Sequence, residues 1–118
     1  MPCPSSEEVF ESSVRSKGDL AGVFEHDGET GYFYLYETSA PEGRKVIGAL
    51  HVLSGPCALR AADVEIRWAD DGSVVGLFIQ GRVWAVFDTT TGAEYAGNFA
   101  TGIGPTLPDR VAAALTVG

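Results

Sequence analysis

The segment from Ala62 to Asp88 constrains the fold most strongly, because apolar and polar residues alternate there between two short turn sequences. The alternation has the two-residue period of β-strands. Asp71-Gly72 and Gln80-Gly81 interrupt it with residues that tight hairpin turns favour. The segment therefore predicts three antiparallel strands joined by two-residue loops.

The rest of the chain repeats this pattern of short apolar runs and turn residues, which predicts further strands at 20–26, 32–38, 46–53 and 93–99. Residues 7–15 are ambiguous. Ser5 and Glu8 have capping-box spacing, which favours a helix, whereas the alternation that follows favours a strand, the interpretation we prefer. Thr106 and Pro108 suit the start of a short helix, which we expect over 107–117.

Long helical segments do not separate the predicted strands, so parallel βαβ units are excluded. We expect a single domain over 1–118, since 118 residues bury enough surface for one core. Its fold class is mainly β, with a frayed terminus over 1–6 and an antiparallel meander of seven or eight strands over 7–99. The meander is a curled sheet, a barrel or a sandwich, followed by the short C-terminal helix.

Residue parity across the two-residue loops assigns side chains to the faces of the central sheet. One face is uniformly apolar and is predicted to be core: Val64, Ile66, Trp68, Val75, Leu77, Ile79, Trp84 and Val86. The opposite face carries Phe78 and Phe87, although a solvated face should alternate with polar residues. The C-terminal helix, the N-terminal segment or a second subunit must therefore cover it, and Phe78 and Phe87 are candidate interface residues.

The same rule applied to the turn at 27–31 places Phe24, Phe33 and Leu35 on one face. Three tyrosines then share the other face with Ala21, Val23 and Glu25: Tyr32, Tyr34 and Tyr36. Tyrosine combines a large apolar ring with a polar tip. The face is therefore either a binding surface or a half-buried sheet face with hydroxyls at its rim.

Few residues carry the potential for chemistry. His26 and His51 are the only histidines, and His26 and Asp27 stand at a hairpin end without the spacing of metal ligands. Cys57 would need a base brought to it by folding. We expect no catalytic residue, metal or cofactor, and an enzyme is the less favoured class. The candidate binding residues are Tyr32, Tyr34, Tyr36, His26, Asp27, His51 and Trp84.

The charge balance restricts the partners. Sixteen acidic and eight basic residues give a net charge of −8. This argues against nucleic acid and anionic membrane surfaces, and it suits a protein partner with a basic surface or self-association. An apolar run long enough to span a bilayer is lacking, as is a signal-peptide pattern. Cys3 and Cys57 do not form a disulfide framework, so we expect a cytoplasmic location.

Three segments together resemble a family of small uncharacterised bacterial proteins. They are the stretch from Phe24 to Tyr34, the Ala49-Leu50-His51-Val52 strand and the hairpin from Trp68 to Asp88. The family pattern has an F-E-D-D-G-x-T-G-Y-F-Y start and a closing I-N-G…A-V-F-D hairpin, and it covers roughly residues 20 to 100. His26 replaces its first Asp and Gln80 its Asn. The resemblance implies a bacterial domain of unknown function and carries over no catalytic residue.

Three functional hypotheses follow. The leading one is a non-enzymatic binding or regulatory module, for instance an immunity-like protein that neutralises a basic partner. The second is a small-ligand or enzymatic pocket lined by Tyr34, Tyr36 and His51, with Trp84 as a further candidate. The third is a structural homodimer that uses the Phe78/Phe87 face.

Overall fold

The computed structural model describes residues 9–27, 30–41, 43, 45–54, 61–99 and 101–116, which form eight strands and one α-helix. The strands are β1 (Val9–Val14), β2 (Leu20–His26), β3 (Thr30–Glu37), β4 (Val46–Ser54), β5 (Val64–Trp68), β6 (Val74–Ile79), β7 (Arg82–Asp88) and β8 (Glu94–Ala96). The helix α1 spans Asp109–Thr116, and a 3₁₀ turn at Ala61–Asp63 precedes β5. The predicted fold class, mainly β with a short C-terminal helix, is confirmed.

The strands form two four-stranded antiparallel meanders, ordered β1-β2-β3-β4 and β5-β6-β7-β8, which are not closed into a barrel. The two sheets pack against each other, so the sandwich is the correct alternative among the three expected architectures. Residues 9–14 form a strand, as preferred over a helix. The capping-box pair Ser5 and Glu8, the predicted frayed end and both cysteines lie outside the described residues.

The main core lies between the two sheets. Phe33 of the first sheet and Phe87 of the second meet there with ring centroids 5.2 Å apart. Burying one such side chain contributes on the order of 2 kcal/mol. The buried members of this core are Val9, Phe24, Phe33, Leu35, Val52, Val64, Val75, Leu77, Ile79, Trp84, Ala85 and Phe87.

A second core lies on the far side of the second sheet, under α1. Val111 and Leu115 of the helix are buried against the sheet residues Ala69, Val74, Phe78 and Val86. Gly76 allows the close approach, because a Cβ there would lie 3.0 Å from Leu115 Cδ1. The helix is therefore the element that covers this face, the first of the three candidates that the sequence suggested.

A β-bulge in β7 changes which side chains face the main core. Ile79 pairs with Arg82 and Phe78 with Val83, but Leu77 then pairs with Ala85, so Trp84 is an additional residue. After this bulge, each residue of β7 lies on the face opposite to the one that the parity rule assigns to it.

The exchange places Phe87 between the sheets and Val86 under the helix. The predicted faces of these two residues are therefore wrong. The faces predicted for β5 and β6 are confirmed, since Val64 pairs with Ile79 and Ile66 with Leu77.

The largest differences from the expected strand boundaries are at the start of β3 and the end of β8. β3 begins at Thr30, two residues early, because the Asp27 amide donates to the Thr30 carbonyl at 3.1 Å and extends the ladder toward the turn. β8 ends at Ala96, short of the predicted residue 99. After β8, the Phe99 amide donates to the Val52 carbonyl of β4 at 3.0 Å, which links the two sheets.

Candidate functional site

The tyrosine-bearing face of the first sheet forms as expected. In the β2–β3 register Glu25 pairs with Tyr32, Val23 with Tyr34 and Ala21 with Tyr36. Directly paired residues share a face in an antiparallel sheet. The three tyrosines therefore lie on the side of the sheet that faces away from the main core.

The aromatic rings on this side contact each other in sequence. Tyr32 and Tyr34 stack with centroids 5.9 Å apart, and Tyr34 meets Tyr36 edge-on at 6.2 Å. His51 of β4 joins the row, its ring centroid 5.0 Å from that of Tyr32. We call these four residues the tyrosine ladder. The structure thus brings together four of the predicted site residues.

The face extends beyond the ladder to both edge strands of the sheet, β1 and β4. Phe10 and Val14 of β1 pair with Glu25 and Ala21, and they are 59% and 55% exposed. Val46 of β4 pairs with Tyr36 and is 47% exposed. We call the ladder with Phe10, Val14, Glu25 and Val46 the outer face. Exposed apolar side chains that are grouped in this way mark interaction sites more often than scattered ones do.

The β1 residues of this face, Phe10 and Val14, are not among the binding residues predicted from the sequence. The Arg15 amide donates to the Leu20 carbonyl at 2.7 Å, so residues 16–19 form an even-length loop. The parity rule applied to this loop would have placed Phe10 and Val14 beside Glu25 and Ala21. The polar residues of the loop gave no turn signal strong enough to fix its length.

The charge of the outer face is acidic. None of the described residues that the register places on this face is lysine or arginine. Glu25, which pairs with Tyr32, contributes a negative charge. Burial and the nearby carboxylate of Glu25 both raise the pKa of Tyr34 above its ordinary value. The Tyr34 hydroxyl is therefore protonated at neutral pH and available as a hydrogen-bond donor.

His26 lies at the hairpin end of β2, on the opposite side of the sheet from Glu25. It is 2% exposed, and neither Nδ1 nor Nε2 has a hydrogen-bond partner. Burial lowers the pKa of its imidazole, and the charge of Asp27 opposes this only in part. The ring is therefore neutral at pH 7, with one nitrogen able to accept a hydrogen bond.

Asp27 is exposed and structures the turn, since its Oδ1 accepts the Thr30 amide at 2.8 Å. A depression of about 220 Å³ lies beside it, lined by Val9, Phe10, Glu25, His26 and Asp27. This depression adjoins the outer face, because it shares Phe10 and Glu25 with it.

Trp84 does not lie on the outer face. It is 4% exposed in the core between the sheets, with its ring edge-on to that of Phe99 at 5.2 Å. Tyr34, Tyr36 and His51 face away from that core. The predicted pocket that would combine them with Trp84 is therefore not formed.

Phe78 and Phe87 do not share a face, so the interface predicted from that pair is wrong. Phe78 is buried under α1, where the Arg67 guanidinium carbon lies 4.4 Å from its ring centroid. Phe87 is buried between the sheets. The bulge at Trp84 is the physical reason, because the residues of β7 that follow it point to the opposite faces.

Two further features of the described residues bear on other classes of function. Within the described ranges, histidine, cysteine, aspartate and glutamate do not form a group of three that could hold a metal ion. In the same part of the chain, no helix has the length and apolar character that crossing a bilayer requires.

The architecture defines a small two-sheet β-sandwich with an aromatic outer face. The chain belongs to a family described as an uncharacterized protein conserved in bacteria (DUF2251), whose model matches residues 3–102. That match includes all eight strands and ends before α1. The resemblance to a family of small uncharacterised bacterial proteins is therefore confirmed.

A protein of Haemophilus influenzae, described as an uncharacterized protein, is 32% identical over 102 residues. The match covers 78% of this chain and 63% of the relative, so the chain spans less than two thirds of that relative's length. The solved structures contain no match.

Proposed function

We propose that this protein is a non-enzymatic binding module whose outer face docks a basic segment of a partner protein. The observation that carries the proposal is the composition of that face: four aromatic rings in contact, exposed Phe10, Val14 and Val46, and an acidic but no basic side chain among its described residues.

Aromatic side chains suit such a role for two physical reasons. Tyrosine supplies a large rigid contact area at low entropic cost, and it is enriched among the residues that dominate interface energetics. Its ring face also attracts the cations of lysine and arginine, with about 0.5–2 kcal/mol for each well-placed pair. The Tyr32–Tyr34 stack at 5.9 Å presents two such rings side by side.

Charge provides the second argument for a basic partner. The chain carries a net charge of −8, which raises the encounter rate with a basic surface and disfavours the close approach of a second acidic copy. A module that neutralises a basic protein, in the manner of an immunity protein, is one form of this function. We place it in the cytoplasm, since a chain with two cysteines has no disulfide framework to require an oxidising compartment.

Affinity capture from the bacterial source, compared between variants, tests the proposal. Wild type should retain a basic protein in stoichiometric amount, and Tyr34→Ala should lose it. Ile103→Ala is the matched control, because Ile103 is 67% exposed but lies outside the outer face. Retention of the same partner by Tyr34→Ala would contradict the proposal.

Light scattering of the same variants tests the competing occupant of the face. The proposal expects a monomer at micromolar concentration. A dimer that Phe10→Ser dissociates would show that a second copy of this chain occupies the outer face instead.

A further inference from the structure

Of the four edge strands in the described sheets, β4 alone lacks the features that protect an edge. β1 carries Glu11, β5 carries Glu65 and Arg67, and β8 is only three residues long. β4 has nine residues, Val46–Ser54, and none of them is charged or proline. Natural sheets protect their edges with charged residues, proline or short strands, so an unprotected edge of this length indicates a pairing site.

The backbone groups on the free side of β4 follow from the hydrogen-bond pattern of β3. Directly after β3, the Thr38 amide donates to the Asp19 carbonyl at 2.9 Å, so the even-numbered residues of β3 bond to β2. Ala49 and His51 of β4 pair with even-numbered residues, two tyrosines of the ladder. The N–H and C=O groups of Ala49 and His51 therefore point away from β3, to the free side of β4.

Phe99 shows that this edge accepts a further backbone partner, because its amide donates to the Val52 carbonyl at 3.0 Å. In the described part of the chain, no other group bonds to Ala49 or His51 from the free side. Both residues are exposed, and Ile47 beside them is 51% exposed. The open part of the edge therefore suits an added strand of about five residues.

We propose that the partner's basic segment adds to the first sheet as a fifth strand beside β4. The proposal rests on the proposed function and adds to it the mode of binding. Backbone hydrogen bonds at Ala49 and His51 give affinity, and the alternate side chains of the segment give selectivity. One set of these side chains continues the outer face next to His51, and the other set points toward the second sheet.

Glu94 selects basic residues for the set that points toward the second sheet. It pairs with Phe87, so its side chain points toward the first sheet. A Cβ on Gly48 would lie 3.1 Å from Glu94 Oε2, which places the carboxylate beside β4. Glu94 is exposed and therefore accessible to a lysine or arginine of the added strand. The net charge of −8 disfavours the alternative occupant, the β4 strand of a second acidic copy.

An NMR titration of the full chain with the peptide acetyl-Lys-Val-Lys-Val-Lys-amide tests the added strand. We expect saturable shifts of the β4 amides, and exchange of the Ala49 and His51 amides with solvent that is slowed at least about fivefold. The same peptide methylated at every backbone nitrogen cannot donate to a strand edge and should not bind. The peptide with glutamate in place of lysine should not bind either, since it meets like charge.

Variants of the edge strands provide the matched controls. Ala49→Pro removes an outward amide where an edge strand tolerates proline, and it should weaken the association about fivefold. Ala49→Ser keeps this amide and should bind as wild type does. Ser12→Pro makes the corresponding change on β1, since Ser12 pairs with Val23, a residue that bonds to β3, and it should leave the association unchanged. Glu94→Gln should weaken the association about threefold.

Three results would overturn the added strand. They are a lack of saturable binding, equal binding of the N-methylated peptide, and binding without slower exchange at Ala49 and His51. These results leave the proposed function in place, because capture by Tyr34→Ala tests that function separately. Slower exchange at the same two amides on concentrating the protein alone would also overturn the proposal, in favour of pairing between two copies of β4.

Discussion

Arg110 of α1 lies 2.7 Å from the carboxylate of Asp88, measured from Nη2 to Oδ2, and this ion pair joins the helix to the end of β7. The Asp88 side chain is fully buried, and its Oδ1 also accepts the Thr90 hydroxyl at 2.6 Å. Burial alone would raise the pKa of Asp88, but Thr90 and Arg110 outweigh it and hold the pKa at about 2. The carboxylate therefore stabilises the fold in its charged form.

Asp88→Asn should lower the free energy of unfolding at pH 7 by about 2 kcal/mol, the equivalent of the pKa difference between the unfolded and folded carboxyl. A depressed folded-state pKa gives stability that is fully present above the unfolded value of 3.8 and is lost as pH falls toward about 2. The difference between wild type and variant should therefore shrink between pH 4 and pH 2. Urea unfolding at pH 7, 4 and 2.5 measures it.

Asp70→Asn is the control for this experiment, because Asp70 is an exposed turn residue. It should change stability by less than about 0.5 kcal/mol at each pH. A constant difference between wild type and Asp88→Asn over the whole pH range would contradict the account of Asp88.

His26 should make the fold acid-sensitive in a different pH range. Burial lowers the pKa of its imidazole, so the unfolded chain takes up a proton below pH 6.5 that the folded chain resists. Stability should then fall as pH decreases from 6.5, by at most about 1.4 kcal/mol at pH 5.5. His26→Leu should remove this loss in urea unfolding at pH 7.5 and 5.5.

His51→Gln removes the other histidine, which is exposed on the outer face. This variant should lose as much stability as wild type between pH 7.5 and 5.5. If His26→Leu loses as much stability as wild type between the two pH values, the buried imidazole does not cause the acid sensitivity.

Gly48 provides a test of the packing between β4 and the second sheet. A Cβ at this position would lie 2.7 Å from Phe87 Cε1 and 3.1 Å from Glu94 Oε2. Phe87 is fixed between the sheets, so Gly48→Ala should destabilise the fold by about 1–3 kcal/mol. Thermal or urea unfolding measures the change.

The neighbouring Ala49 is exposed, so Ala49→Ser should change stability by less than about 0.5 kcal/mol. A Gly48→Ala variant as stable as wild type would mean that Phe87 does not lie against β4.

The sequence predicts a register correctly where a short turn connects two strands directly. Asp71-Gly72 fixes the pairing of Ile66 with Leu77, and the turn after His26 fixes the tyrosine face. In both hairpins the loop sets the parity, and no bulge follows in the paired strands.

The prediction fails at Trp84 because a bulge is decided by packing between sheets. Trp84 and Ala85 both lie in the core between the sheets, which simple alternation cannot arrange. The Gly97 amide also donates to the Trp84 carbonyl at 2.8 Å, a contact with a later segment that local pattern does not encode. The predicted faces of Val86 and Phe87 are wrong for this reason.

The candidate site was predictable only in part. The register of one hairpin places the three tyrosines on a common face, as predicted. His51 lies beside Tyr32 because β3 pairs with β4. The contribution of Phe10 and Val46 depends on strands joined by longer loops, whose register the sequence does not fix. The depression beside Asp27 is lined by residues of both β1 and β2, so only the folded structure shows it.

Calorimetric titration of the captured basic partner against wild type and Tyr34→Ala tests the central claim most directly. We expect Tyr34→Ala to weaken binding about tenfold or more, Ile103→Ala to bind as wild type does, and the wild-type affinity to fall as salt is raised. Glu25→Lys, which reverses the charge of the face with little change in packing, should weaken binding as well. Equal affinity for wild type, Tyr34→Ala and Glu25→Lys would contradict the claim that the outer face binds the partner.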